Sequence, residues 1–197
     1  MTSPVAVLIG PPGAGKSTVG PLLAALLGAE FTETDALVEE AAGKPVSDIF
    51  ISDGEPVFRE LERNAVAQAL ATIPGVVALG GGAVMDPGTQ QLLAGHRVVY
   101  LRTGFTAAVR RVGLDTPRPL LLRNPRAQLR ELLEERLPVY EALARITVNT
   151  DDRDPQEIAD EIAATVTARI AAAAGEGAGT GADDAEPAGW DNEGEGA

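Results

Sequence analysis

Cysteine is absent from this 197-residue chain. That removes disulfides, thiol catalysis and zinc–thiolate sites together. Histidine occurs once, as His96, so a histidine-rich metal site is excluded too. No apolar run approaches the roughly 20 residues that span a bilayer. The first residues show no charged segment leading into an apolar stretch and cleavage site. The expectation is a cytoplasmic protein with no membrane contact. Positive charge is scarce: 16 Lys and Arg stand against 29 Asp and Glu, a formal net charge of −13. That balance opposes nucleic-acid binding.

The charge is unevenly spread. Residues 171–197, "AAAAGEGAGTGADDAEPAGWDNEGEGA", hold seven acidic residues and no basic one. The first 170 residues therefore carry only −6, and arginines there can still build local positive sites. The tail has Trp190 as its only large side chain. It cannot bury enough apolar surface to offset its ordering entropy, so 171–197 is expected to be disordered. A partner-binding segment anchored by Trp190 is the alternative.

What remains, 1–170, suits one domain with a proper core. Continuous apolar runs alternate with helical spacing. "VAVLIG" (5–10), "GVVALGGGA" (75–83), "RVVYLR" (97–102) and "RITVN" (145–149) read as buried strands, and "AEFTETD" (29–35) ends in one. Helical patterns cover 17–29, 35–43, 45–71 with a break at Asp53-Gly54, 127–143 and 154–170. Pro21 should kink or strain the first of these helices. The alternation predicts an α/β fold: a parallel sheet of about five strands with helices on both faces.

The first strand runs into "GPPGAGKST". Gly10, Gly15, Lys16 and Ser17 fill the pattern G-x-x-x-x-G-K-[ST], between an apolar strand and a helix. Glycines at the turns let backbone N–H groups of Gly13, Ala14, Gly15, Lys16, Ser17 and Thr18 face phosphate oxygens. The helix N-terminus adds positive field. Lys16 neutralises the β- and γ-phosphates, and the Ser17 hydroxyl can ligate Mg²⁺. The chain lacks an N-K-x-D guanine-reading motif and is too short for most mechanical ATPases. A kinase of a nucleotide or small metabolite is the expectation by fold analogy.

Four features lie beyond this loop. Glu33 and Asp35 are two apart at a strand end, so both should emerge on one face at the carboxyl edge of the sheet. One carboxylate can hold Mg²⁺ or its waters; the other can accept a proton from an acceptor hydroxyl. Arg59 sits on a helix, where an arginine alone reads as solvated. Gly80, Gly81 and Gly82 follow a strand and expose backbone to a ligand or to a tight turn. Arg118, between Pro117 and Pro119, lies in a proline-punctuated segment, about 113–126. That segment fits either a surface loop or a lid carrying an arginine to the moving phosphoryl group.

Taken in order, "GPPGAGKST", "TD" at 34–35, "DIF…DGEPVFRELE", "LGGGAV", "TPRPLL" and "ERLPVYEALA" resemble the shikimate kinases over residues 5 to about 168. The resemblance implies a P-loop kinase fold with a lid, and transfer of the ATP γ-phosphoryl group to the 3-hydroxyl of shikimate with one Mg²⁺ ion. It implies that Asp35 holds the acceptor hydroxyl, with Arg59, Gly80, Gly81, Gly82 and Arg136 completing the acceptor site. An arginine fork suits a carboxylate acceptor. Arg118 would touch the phosphates from the lid, and Arg153 and Arg111 would lie near the adenine. Ser17 and Glu33 would face the metal. ATP and shikimate are the expected partners, and the protein is expected to act as a monomer.

Two positions depart from the family pattern. Glu33 stands where Asp is usual, and Pro21 stands where a helix-compatible residue is usual. A kinase of another hydroxylated acid such as gluconate, and a non-catalytic ATP-binding regulator, are the competing readings of the same motifs.

Overall fold

A computed structural model describes residues 3–113 and 124–177. Five strands form one parallel sheet: β1 (Ala6–Ile9), β2 (Phe31–Glu33), β3 (Val76–Ala78), β4 (Val98–Arg102) and β5 (Ile146–Asn149), in the order β2-β3-β1-β4-β5. The register sets Leu8 beside Ala78 on one side and beside Val99 on the other. All four β1 residues are fully buried, as an apolar run in a doubly covered sheet requires.

Side-chain alternation along β1 divides the core. Ala6 and Leu8 join α1 (Lys16–Leu26) and α8 (Pro155–Gly177) on one face, where Leu23, Ile158 and Ile162 pack. Val7 and Ile9 face α4 (Glu55–Thr72), α5 (Pro87–Leu93) and α7 (Pro125–Leu143), meeting Val66, Leu93 and Tyr140. A smaller cluster of Val38, Ile49 and Phe58 holds α2 (Thr34–Ala42) and α3 (Val46–Ser52) against α4. The expected break between these last two helices falls at Asp53-Gly54, where Gly54 has φ +86°. α6 (Phe105–Arg111) follows β4.

Several expectations need correcting. β2 stops at Glu33, and Thr34 and Asp35 already belong to α2. Strand alternation therefore does not relate Glu33 to Asp35. Thr34 is completely buried and its hydroxyl accepts from the Gly80 N–H at 3.0 Å, which turns the chain into the helix there. β5 is an edge strand: Ile146 and Val148 are buried, Thr147 and Asn149 are exposed. α1 is uninterrupted across Pro21, which only forgoes the bond its missing N–H would give to Ser17. α8 runs to Gly177 instead of ending at 170, because alanines 171–174 are the best helix formers. The rest of the expected tail, including Trp190, lies outside the described residues. So do Arg118 and most of the expected lid.

Three elements had escaped the sequence reading: α5, α6 and a single 3₁₀ turn at Ala83–Met85. α5 carries a readable start signal, Asp86 accepting from the Thr89 N–H at 2.9 Å with Pro87 as the first helical residue.

Candidate active site

The carboxyl ends of the strands open onto a cavity of about 600 Å³. It lies where β1 is flanked by β3 and β4, the crevice that open α/β sheets use for ligands. Residues 13–18, all named from the sequence as phosphate-binding, line it. Gly13 and Gly15 have φ of +78° and +98°, a left-handed conformation that disfavours any side chain. A β-carbon at Gly10 would lie 2.7 Å from the Leu101 carbonyl oxygen, so the loop passes too close to β4 for another residue. The Thr18 N–H bonds the Gly15 carbonyl at 3.1 Å, whereas the Lys16 and Ser17 N–H groups at the start of α1 have no intrahelical acceptor and are available to an anion.

Lys16 donates to the carbonyl oxygens of Gly10 at 2.6 Å and Pro11 at 3.2 Å. Burial lowers its pKa to about 8, although Asp35 and Glu33 nearby favour the charged form. The Ser17 hydroxyl donates to Glu33 Oε1 at 2.5 Å. Glu33 and Asp35 line this cavity together, as expected, but one comes from a strand end and the other from the first turn of a helix. Asp35 is exposed to this concavity. Desolvation there raises its pKa against the opposing pull of Lys16.

At the far end of the same cavity are Arg111, Thr150 and Arg153. Arg111 donates to the Gly13 carbonyl at 3.1 Å, the Thr150 hydroxyl at 2.9 Å and the Thr150 carbonyl at 2.5 Å. It therefore braces the loop against the end of β5, a contact the sequence did not show. Arg153 bonds the Asn149 carbonyl at 3.2 Å and pairs with Glu161 at 2.7 Å.

Gly80–Gly82 separates this cavity from a second one of about 420 Å³ lined by Arg59, Glu62, Gly82 and Arg136, among others. A side chain at Gly80 or Gly82 would displace the groups around it. A β-carbon at Gly80 would lie 2.6 Å from Asp35 Oδ1 and 2.8 Å from Glu62 Oε1, and one at Gly82 2.7 Å from an Arg59 nitrogen. Arg59 is held by Glu62 at 2.7 Å and by Glu55 at 3.0 Å. Burial works against its charge, but the bonds to Glu62 and Glu55 prevail and raise its pKa.

Arg136 donates through one terminal nitrogen to the Gly81 carbonyl at 2.9 Å, while its Nε is buried without a partner among the described residues. Tyr140, one turn further along α7, donates to the same carbonyl at 2.5 Å. The sequence reading gave Glu62 and Tyr140 no role. The signals were present: Glu62 is three residues from Arg59 on one helix face, and Tyr140 is four from Arg136.

A site with a phosphate cradle, a carboxylate at its edge and an adjoining arginine-lined cavity can align an anionic, hydroxylated acceptor with a nucleotide. The comparisons with known proteins agree in kind. A family model described as "Shikimate kinase" matches residues 12–167. The shikimate kinase of Thermobifida fusca is 61% identical over 160 residues, covering 81% of this chain and 93% of that protein. The one from Salinispora arenicola is 58% identical over 161 residues, 82% of this chain and 96% of that protein. Among solved structures, shikimate kinase from Acinetobacter baumannii in complex with shikimate aligns with a TM-score of 0.77 at 34% identity. That alignment covers 86% of this chain and 95% of the other.

Proposed function

The chain belongs to the shikimate kinase family, and we propose that its two adjoining cavities bind ATP and shikimate for that family's reaction. The γ-phosphoryl group of ATP passes to the 3-hydroxyl of shikimate, giving shikimate 3-phosphate and ADP, on the route to chorismate and the aromatic amino acids. The observation that carries the acceptor assignment is Arg136. Its buried Nε lacks a partner among the described residues, at the wall of a cavity just across the glycines from Asp35. A buried, unpaired guanidinium donor is costly unless a ligand completes it. A carboxylate meets a planar fork in two parallel bonds.

Lys16 releases the Gly10 and Pro11 carbonyls and turns to the β- and γ-phosphates, whose charge favours its protonated form. Asp35 orients the acceptor hydroxyl and accepts its proton as the oxygen attacks phosphorus and the bridging bond to ADP breaks. Its raised pKa brings it closer to the range useful to a general base. Arg136 and Arg59 fix the acceptor's carboxylate so that the hydroxyl is aligned. Arg118 joins the phosphates from outside the described residues and spreads the transferring charge. Arg153, beside Pro155 and Ile158, lies against the base of the nucleotide.

Ser17 and Glu33 fit Mg²⁺: both offer hard oxygens, already within 2.5 Å of each other, and this ion completes its shell with phosphate oxygens and water. When bound it neutralises phosphate charge. All the groups named belong to one chain, and we read the enzyme as a monomer. Among the described residues no helix is long and apolar enough to cross a membrane. A cytoplasmic enzyme without nucleic-acid partners is the corresponding reading.

The test is turnover of ATP with a panel of hydroxylated acids, shikimate and gluconate included, followed by coupled ADP detection. Shikimate alone should support turnover. Equal use of gluconate, or no use of shikimate, would overturn the assignment.

A further inference from the structure

Gly81 offers one carbonyl oxygen to two donors, and only one of them faces the acceptor cavity. Arg136 lines that cavity. Tyr140 lies behind it, 1% exposed, its ring stacked on Tyr100 at 5.1 Å and 14°. The Tyr140 hydroxyl is the shorter of the two contacts, 2.5 Å against 2.9 Å. Burial pushes its pKa up to about 12, so it stays a donor at any working pH. The stacked ring gives the hydroxyl little freedom to leave.

Gly81 itself faces the phosphate loop: a β-carbon there would lie 3.3 Å from Pro12 Cδ and 3.5 Å from the Gly10 carbonyl oxygen. Gly10 in turn accepts from Lys16. The glycine segment thus sets the spacing between the phosphates and the acceptor. Arg136 bonds the Gly81 carbonyl through one terminal nitrogen only, which leaves its Nε and its other terminal nitrogen as an edge for a carboxylate. Without the Tyr140 hydroxyl, Arg136 alone would tie down that carbonyl while a carboxylate drew on its other nitrogens.

We propose that Tyr140 is a positioning residue that fixes the Gly81 carbonyl to which Arg136 is tied, and so fixes Arg136 for the acceptor. The idea rests on the shikimate assignment above. Tyr140 touches no substrate. It acts by keeping the glycine segment, and through it Arg136, in place as the acceptor binds, so its effect falls on acceptor binding and alignment.

The experiment compares Tyr140→Phe with Tyr100→Phe and the unaltered enzyme. Both variants keep the stacked rings and each removes one hydroxyl. Tyr140→Phe should raise the KM and the calorimetric Kd for shikimate roughly fivefold to tenfold, the equivalent of one ordinary hydrogen bond. The KM for ATP should stay within about twofold, and Tyr100→Phe should leave both unchanged.

A Tyr140→Phe enzyme with unaltered shikimate KM and Kd would overturn the proposal. So would one whose ATP and shikimate constants worsen together with its melting temperature, the mark of a general structural role. Calorimetry needs only the folded protein, so it decides even where turnover is lost. Failure of the unaltered enzyme to use shikimate strikes the functional assignment instead, and is read before either variant.

Discussion

Ser17 and Glu33, sixteen residues apart, meet at the edge of the phosphate loop through a hydroxyl-to-carboxylate bond of 2.5 Å. The side chain of Glu33, one methylene longer than an aspartate, reaches the hydroxyl directly. Glu33→Asp should therefore keep most activity. Glu33→Gln should raise the Mg²⁺ concentration for half-maximal rate several-fold, because a neutral amide attracts the hydrated cation less. Shikimate affinity at saturating Mg²⁺ should hold. A Mg²⁺ titration of rate for both variants decides, and an unshifted Gln curve would leave Glu33 as a partner of Ser17 alone.

The pH dependence follows from Lys16 and Asp35. Lys16 in the free enzyme loses its proton near pH 8, and the deprotonated amine attracts phosphates less. ATP affinity should fall as pH rises above about 8. Asp35 gains a proton at a pH above the usual carboxylate range, and the protonated form cannot accept another. Turnover should fall on the acid side before an ordinary aspartate would titrate. A profile of kcat/KM for each substrate from pH 5 to 10 tests both limbs. A flat alkaline limb for ATP would show that Lys16 remains charged.

Arg136→Lys keeps the charge but loses the planar fork. It should lower kcat/KM for shikimate by about ten- to a hundredfold, the range for a charge-assisted bond of 1.5–3 kcal/mol. ATP binding should change little. Steady-state kinetics with each substrate varied in turn separates the two, and an unchanged shikimate kcat/KM would remove Arg136 from the site.

Gly80→Ala would press a methyl group between Asp35 and Glu62, at 2.6 and 2.8 Å from their oxygens. Both carboxylates sit at the ends of flexible side chains, so the fold should survive with a loss of about 1–3 kcal/mol. Asp35, once displaced, should no longer meet the acceptor hydroxyl, and kcat should fall at least tenfold. Urea unfolding and saturating-substrate rates read the two effects separately.

The comparison of sequence with structure turns on range. The phosphate loop was legible because its chemistry is local: consecutive residues place glycines, lysine and hydroxyl around one anion, and an apolar run before it can only be a covered strand. The strand order was not written there, nor the edge position of β5, since an apolar segment does not name its neighbours. Asp35 reached its place for a reason the spacing did not contain. Strand alternation was the wrong geometry, and the buried Thr34 bond to Gly80, across 46 residues, sets where the helix begins.

Local spacing thus determined the phosphate-binding loop, the α/β alternation and, through the combined motifs, the kinase family. Tertiary structure alone decided that Arg111 braces the loop through Thr150, that the Arg59–Glu62 pair comes to stand near Asp35, and that Arg136 and Tyr140 share the Gly81 carbonyl. The periodicities of helix and strand are properties of neighbouring residues and can be read in one dimension. A hydrogen bond between segments 39 or 59 residues apart exists only after the sheet has brought their ends to one edge.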